Sequence, residues 1–223
     1  MNELTQKDID EFHDRGFLVV WQLIPKTMID ELIVGYDEAV QGKYDVEAWR
    51  ESLAKDGALQ LMRPYERLPG WHGHPYMEII LGVARQLLGE DMQYRSDQMI
   101  YKPPHTHAPL LWHQDAAYGW KDEARERSCT AWLSLATATR EMGSLQFIPG
   151  SHRQGVVEHA NAGHKTPVGG LEAVVDASLA EIVEYEAGDA TFHHGCTLHY
   201  TSSNTTDTPR RGLSIHIMPA SVS

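Results

Sequence analysis

The sequence predicts a mainly β fold with α-helices packed against it. Helical periodicity is confined to roughly the first 90 residues, and from about residue 91 the chain breaks into short β-type runs separated by Gly, Pro, Asn and Asp, at the spacing of a sandwich or barrel. The composition sets the scale: 223 residues, 42% hydrophobic and 22% charged, suit one sizeable core. A single domain is therefore expected over residues 1–223, helical over 1–90 and β over about 91–219.

Thr5 with Asp8 three residues on predicts a helix start, Ile9 and Phe12 give that helix an apolar stripe, and Gly16 can stop it. Phe17 to Trp21 is then a short β-type run. Pro25 suits a first helical position, and Met28, Ile29, Leu32, Ile33, Tyr36 and Val40 recur at helical spacing until Gly42. Residues 44–57 carry no clear pattern. Pro75 to Leu88 is a helix with Ile79, Ile80, Val83, Leu87 and Leu88 on its buried side and Gly89 after it. Strands are expected at Met92–Tyr101, Ser128–Ala136, Ser144–Ile148, Ile182–Tyr185, Ala190–His193, Leu198–Ser202 and Gly212–Met218, with long loops at 103–110 and 154–180.

Charge and cysteine content narrow the function. A formal net charge of −12 repels phosphate backbones and anionic lipid, so nucleic acid and membrane surfaces are poor partners. No apolar run approaches the roughly 18 residues of a membrane span. Two cysteines, Cys129 and Cys196, cannot form a disulfide framework, and a polar N-terminus lacks the pattern of a secretion signal, so a reducing cytoplasm is expected. The unusual feature of the composition is its 13 histidines.

Two histidines and a carboxylate on one face of a metal leave positions open for substrate and oxygen, the arrangement of non-haem Fe(II) oxygenases. His113-Gln114-Asp115 is the sole His-x-Asp in the chain, although this composition supplies on the order of one such triplet by chance. Context adds weight, because on an extended segment residues 113 and 115 project to the same face, as two ligands of one ion must. A short strand near residue 199 can carry a third ligand.

Six segments in order and spacing resemble the phytanoyl-CoA dioxygenase family: MIYKPP at Met99–Pro104, WHQDAAY at Trp112–Tyr118, TAWLSL at Thr130–Leu135, GSLQFIPGSH at Gly143–His152, GDA at Gly188–Ala190, and HYTSSN at His199–Asn204 leading to Arg210-Arg211. The resemblance covers about residues 90–219. It implies a double-stranded β-helix, that is, a cupin-like jelly roll flanked by helices, and an enzyme using Fe(II), 2-oxoglutarate and O2. His113, Asp115 and His199 match the family's iron ligands, and Arg210 the anchor of the distal carboxylate of 2-oxoglutarate. A guanidinium grips a carboxylate through two parallel hydrogen bonds. Arg211 is the rival, but it points to the other face of the strand: 210, 212, 214 and 216 read Arg, Gly, Ser, His, while 213, 215 and 217 read Leu, Ile, Ile. Thr201, Trp132 and Gln98 match further cosubstrate positions.

The implied activity is dioxygenation of a small molecule, with hydroxylation or another C–H oxidation as its outcome. Halogenation is disfavoured, since related halogenases replace the carboxylate ligand with a small residue. Met142-Gly143 departs from the family's common Asn-Gly and puts a loop contact in doubt. The acidic balance argues against a CoA thioester, whose phosphates want Lys and Arg. Two other readings stay open: a metal-dependent cupin-like enzyme that does not use 2-oxoglutarate, and a jelly-roll binding protein without chemistry. His72, His74, His105 and His107 are expected in loops. His152, His193 and His194 are left between pocket and structural roles, and Cys196 reads as a small packed residue.

Overall fold

The computed structural model describes residues 3–47, 50–53, 57–163 and 170–222. Thr5 and Asp8 form a reciprocal capping box at the start of α1 (Gln6–Arg15), and Gly16 ends it at φ +79°. β1 (Phe17–Val20) leads to α2 (Lys26–Val40), which begins after Pro25. β2 (Arg50–Leu53) falls in the stretch without a clear sequence pattern; residues 48–49 and 54–56 of that stretch lie outside the described ones. β3 (Leu59–Met62), α3 (Pro64–Arg67) and α4 (Tyr76–Leu88) follow. The remainder is β4 (Met92–Lys102), β5 (Leu110–His113), α5 (Asp122–Glu126), β6 (Cys129–Ser134), β7 (Leu145–Phe147), β8 (Ala160–Asn161), β9 (Leu171–Glu172), β10 (Glu181–Ile182), β11 (Ala190–His194), β12 (His199–Thr201) and β13 (Arg210–Pro219).

Two antiparallel sheets make the jelly roll. The larger runs β1-β11-β6-β13-β4-β3-β2 and the smaller β10-β7-β12-β5. The loop expected at 154–180 holds the β8–β9 hairpin, and its residues 164–169 lie outside the described ones. The N-terminal part supplies three strands to the edges of the large sheet besides its helices.

Alternation along the strands decides what each sheet face meets. Leu213, Ile215 and Ile217 of β13 are fully buried in one cluster with Ile29, Leu32 and Tyr36 of α2 and Met77, Ile80 and Leu87 of α4. Arg211 shares that outer face and grips Asp37 of α2 through Nε (2.7 Å) and Nη2 (3.2 Å). The residues of opposite phase, Gly212, Ser214 and His216, turn into the space between the sheets. A second cluster, including Phe17, Trp132, Leu145 and Phe147, fills part of that space.

Asp97 of β4 is a buried carboxyl on the helix side, accepting from the Tyr94 hydroxyl (2.7 Å) and the Tyr65 amide (3.0 Å), with Glu66, Arg63 and Tyr76 nearby. Burial raises its pKa to about 7, against the pull of those two hydrogen bonds. The folded state therefore keeps a proton that the unfolded chain releases near pH 4, and stability falls as pH rises from there to about 7. Asp97→Asn should lose this slope, gaining a few degrees of Tm on the parent between pH 5 and pH 8; parallel melting curves at the two pH values would exclude it.

Candidate active site

A cavity of about 480 Å³ lies between the sheets. His113 at the end of β5 and His199 at the start of β12 are direct cross-strand partners, their ring centroids 4.2 Å apart. The chain stays extended through Gln114 and then turns into a short 3₁₀ segment beginning at Asp115. The expected one-face geometry thus holds, although Asp115 itself opens a turn rather than continuing the strand. Gln114 points away from the cavity: its amide donates to the carbonyls of Gly155 (2.8 Å) and Cys196 (2.5 Å) and accepts from the Val157 amide (2.8 Å). That pins both ligand-bearing segments to the loop behind them.

One nitrogen each of His113 and His199 and one oxygen of Asp115 lie within 4.8 Å of one another, the single such cluster among the described residues. Every other polar atom of the three is committed elsewhere. Nδ1 of His113 meets the Leu111 carbonyl (2.6 Å) and Nδ1 of His199 the Thr197 carbonyl (2.9 Å). A carbonyl only accepts, so each Nδ1 carries the proton and each Nε2 presents a lone pair. Burial lowers both imidazole pKa values to about 4, keeping them neutral. Asp115 Oδ2 accepts from Thr130 Oγ1 (2.6 Å) and His193 Nε2 (3.2 Å), leaving Oδ1 facing His199 Nε2 (3.6 Å) and His113 Nε2 (3.9 Å). Burial opposes its charge, but the neighbouring imidazoles and the His193 hydrogen bond outweigh it and hold the carboxyl well below its ordinary range. Two lone-pair nitrogens and one free anionic oxygen are a donor set that Fe(II) fits.

At one end of the cavity Trp132 and Thr201 line the wall. Arg210 lies beyond them, 1% exposed, its guanidinium 4.7 Å over the Trp132 ring. It donates through Nη1 to the Gly143 carbonyl (2.5 Å), while Nε and Nη2 have no partner among the described residues. The Trp132 indole N–H is likewise buried and unpartnered. Two glycines make this packing possible. A Cβ on Gly212 would collide with the Trp132 ring, and one on Gly143, at φ +77°, with the Ser202 carbonyl. The departure at Met142-Gly143 therefore leaves intact the backbone contact that matters, the carbonyl that holds Arg210. Gln98 also lines the cavity, its side-chain oxygen accepting from the Gln60 amide (2.6 Å).

The other end is walled by Ser96, Tyr118, Trp120 and His216, none of them candidates from the sequence. His216 stacks edge-on against Trp120 (5.5 Å), and its phase on β13 was the one available signal. Of the undecided histidines, His193 braces Asp115. His152 bonds the His13 carbonyl and His194 the Glu126 carbonyl, and neither lines the cavity. His74 pairs with Glu31 and His105 with Asp207. Cys129 and Cys196 are buried free thiols.

A jelly roll with a convergent His, Asp, His set in its cavity and a buried, half-satisfied arginine at one end defines a class: the Fe(II)- and 2-oxoglutarate-dependent dioxygenases, which take O2 as co-substrate. Within that class the chain belongs to the phytanoyl-CoA dioxygenase family, whose model matches residues 12–212. It is 32% identical to the phytanoyl-CoA dioxygenase domain-containing protein 1 of Danio rerio over 98% of this chain and 91% of that protein. It is 29% identical to a probable alpha-ketoglutarate-dependent hypophosphite dioxygenase of Stutzerimonas stutzeri over 62% of this chain, a match spanning about half (49%) of that relative. Among solved structures it resembles EvdO2 of Micromonospora carbonacea var. aurantiaca in complex with 2-oxoglutarate, with a TM-score of 0.82 and 26% identity over 98% of this chain and 92% of that one. The fold is also that of apo EctD from S. alaskensis, with a TM-score of 0.80 at 18% identity over 100% of this chain and 80% of that one. No helix among the described residues is long and apolar enough to cross a membrane.

Proposed function

We propose that the chain, residues 1–223 as one domain, is a dioxygenase that hydroxylates a C–H bond of a small, uncharged metabolite. One O2 and one 2-oxoglutarate would be consumed, one oxygen atom entering the product and the other the succinate released with CO2. The observation that carries this is Arg210, a buried cation stacked on the cavity-lining Trp132, whose Nε and Nη2 have no partner among the described residues. Burial lowers its pKa to about 10, which still leaves it charged near neutrality. A guanidinium so placed suits a dicarboxylate and has no evident use in a cupin-like enzyme that dispenses with 2-oxoglutarate or in a binding protein.

In this reading His113 Nε2, His199 Nε2 and Asp115 Oδ1 hold Fe(II), which with 2-oxoglutarate supplies the activation of O2. Arg210 and Thr201 would take the distal carboxylate, and Trp132, whose buried indole N–H has no partner among the described residues, would line the cosubstrate's place. Trp132, Leu145 and Ile100 shield that end from water. The opposite end orients the substrate through Trp120 and Tyr118 as apolar walls and Ser96 and His216 as neutral hydrogen-bonding groups. Burial depresses the His216 pKa, and no Lys or Arg lines the cavity among the described residues, so a neutral metabolite suits it better than a CoA ester. The buried thiols suit a reducing, cytoplasmic setting.

Anaerobic addition of Fe(II) and then 2-oxoglutarate should produce a weak visible charge-transfer band. In air the protein should release succinate, faster when a screened neutral metabolite is the right one. Absence of the band in the wild-type protein would remove the cosubstrate assignment.

A further inference from the structure

Ser96 and His216 face each other across β4 and β13 in the cavity wall, Oγ and Nδ1 3.3 Å apart. A local irregularity puts them there. His216 pairs with Ser96 but Ile217 pairs with Tyr94, so β4 carries Arg95 as an extra residue, a β-bulge. Without it residues 94 and 96 would share a face; with it Tyr94 packs on the helix side and bonds Asp97, while Ser96 lines the cavity. On its other side His216 pairs with Thr130, whose hydroxyl bonds Asp115, so the two polar groups adjoin the triad. Trp120 stands edge-on to the imidazole at 5.5 Å, in a seat that exists because residue 195 is glycine: a Cβ there would collide with the indole. Nε2 of His216 has no hydrogen bond among the described residues.

A neutral imidazole and a hydroxyl hold two protons between them, and the bond joining them takes one. If Ser96 donates to Nδ1, then Nε2–H is left to give and the Ser96 oxygen to receive. If Nδ1–H donates to Ser96, then Nε2 receives and the Ser96 proton is left to give. Either tautomer offers the cavity one proton and at least one lone pair, never two protons. Groups that only accept, a carboxylate or a ketone, take that proton and set a lone pair against the other member. An ammonium would be a buried cation without a counter-charge, since Asp115, committed to the metal, is the one acidic residue lining the cavity among the described residues. An amide gives and receives through separate atoms of fixed role. A hydroxyl does both at one atom, and it exchanges the roles by a rotation, as the pair does by changing tautomer. We infer that Ser96 and His216 are the specificity-determining pair of the site and that the neutral substrate is an alcohol, received through a hydroxyl that bridges them. This rests on the dioxygenase reading above and names the chemical class of its substrate.

Five ring compounds alike but for one group test this: cyclohexanol, cyclohexanone, cyclohexanecarboxamide, cyclohexanecarboxylate and cyclohexylamine. Each is titrated anaerobically into protein loaded with Fe(II) and 2-oxoglutarate, and its Kd is taken from the rise in Tm with concentration. Cyclohexanol should bind most tightly, about five- to tenfold better than cyclohexanone, the worth of the one hydrogen bond that the ketone cannot make. The deciding quantity is the ratio of those two constants, because a merely structural change weakens both alike. His216→Leu and Ser96→Ala, each leaving a single hydrogen-bonding group, should both bring the ratio near one. His216→Gln, which keeps a donor and an acceptor, should restore most of it. Ser96→Ala decides the matter should His216→Leu fail to fold. The 2-oxoglutarate Kd, read from the charge-transfer band, should stay within a few-fold throughout. A folded variant of either residue to Leu or Ala that keeps the parent ratio overturns the proposal. So does a parent protein that prefers the ketone, amide, carboxylate or amine, or that binds none of the five while showing the band. Absence of the band in the parent overturns the dioxygenase reading, and this one with it.

Discussion

Arg210→Met should weaken 2-oxoglutarate binding by about a hundredfold or more and, without ligand, leave the protein as stable as the parent or more so. The first half follows from what removal of one partner of a desolvated charge pair costs, roughly 2–5 kcal/mol. The second half separates a binding role from a structural one. In the ligand-free protein the guanidinium is buried with one hydrogen bond, to Gly143, and a stacking contact with Trp132, while Nε and Nη2 go unpaired among the described residues. The effective penalty for burying an ion is several kcal/mol, and one backbone hydrogen bond offsets only part of it. Methionine fills a similar volume over Trp132 without that penalty. The parent should gain Tm on saturation with 2-oxoglutarate, since ligand bound only to the folded state stabilises it, and the variant should gain almost none at the same concentration. A ligand-free variant that melts several degrees lower, with affinity unchanged, would make Arg210 a structural residue and return the anchor to an open question. Arg211 is poorly placed to take over, being bound to Asp37 on the helix side of the sheet.

Why Arg210 could be chosen over its neighbour from sequence alone comes down to period. On β13 every second residue is Leu, Ile, Ile, and those side chains do pack under α2 and α4, so the alternate set has to face inward. His113 and Asp115 were legible for a similar reason: one extended residue between them fixes their common face. Pattern failed where a role depends on a contact distant in sequence. Lys102 ends a strand of mixed polarity, and only its bond to Thr201, 99 residues on, reveals that its ammonium turns inward to the small sheet. The departure from the family pattern falls on Met142, yet what this turn contributes to the site is the backbone carbonyl of Gly143, which holds Arg210. His193 and His194 are adjacent on β11, and alternation turns one toward Asp115 and the other outward; the phase of that strand was not readable in a run as uniformly buried as Ala190–His193. The edges of the large sheet were missed at β2 and β3 because strands of four residues, next to Gly and charged residues, carry too little alternation to register.

The near-isosteric change Asp115→Asn should be as damaging to metal binding as Asp115→Ala, by about a hundredfold or more in Fe(II) affinity. Shape is preserved, so the expectation depends entirely on hydrogen-bond polarity. Oδ2 of Asp115 stands between two groups with protons to give, the Thr130 hydroxyl and His193 Nε2. An asparagine has one oxygen and one NH2. Turning the NH2 toward Thr130 and His193 sets donor against donor at a buried site, which is expensive. Turning the oxygen there satisfies both and points the NH2 at the lone pairs of His113 and His199, where an amide nitrogen is no ligand and its protons bond to the imidazoles in place of a metal. The second arrangement is the lower in energy, and it blocks the site instead of leaving it empty. Relieving the donors behind the carboxylate should therefore restore part of what the substitution removes: Asp115→Asn combined with Thr130→Val and His193→Phe frees the amide to present its oxygen, and Fe(II) affinity should recover several-fold over Asp115→Asn alone. Anaerobic Fe(II) titration of the three proteins reads this directly. Tight Fe(II) binding by Asp115→Asn on its own would mean that the hydroxyl and imidazole behind the carboxylate do not set its orientation, and that the tidy division between Oδ1 and Oδ2 carries no weight in the site.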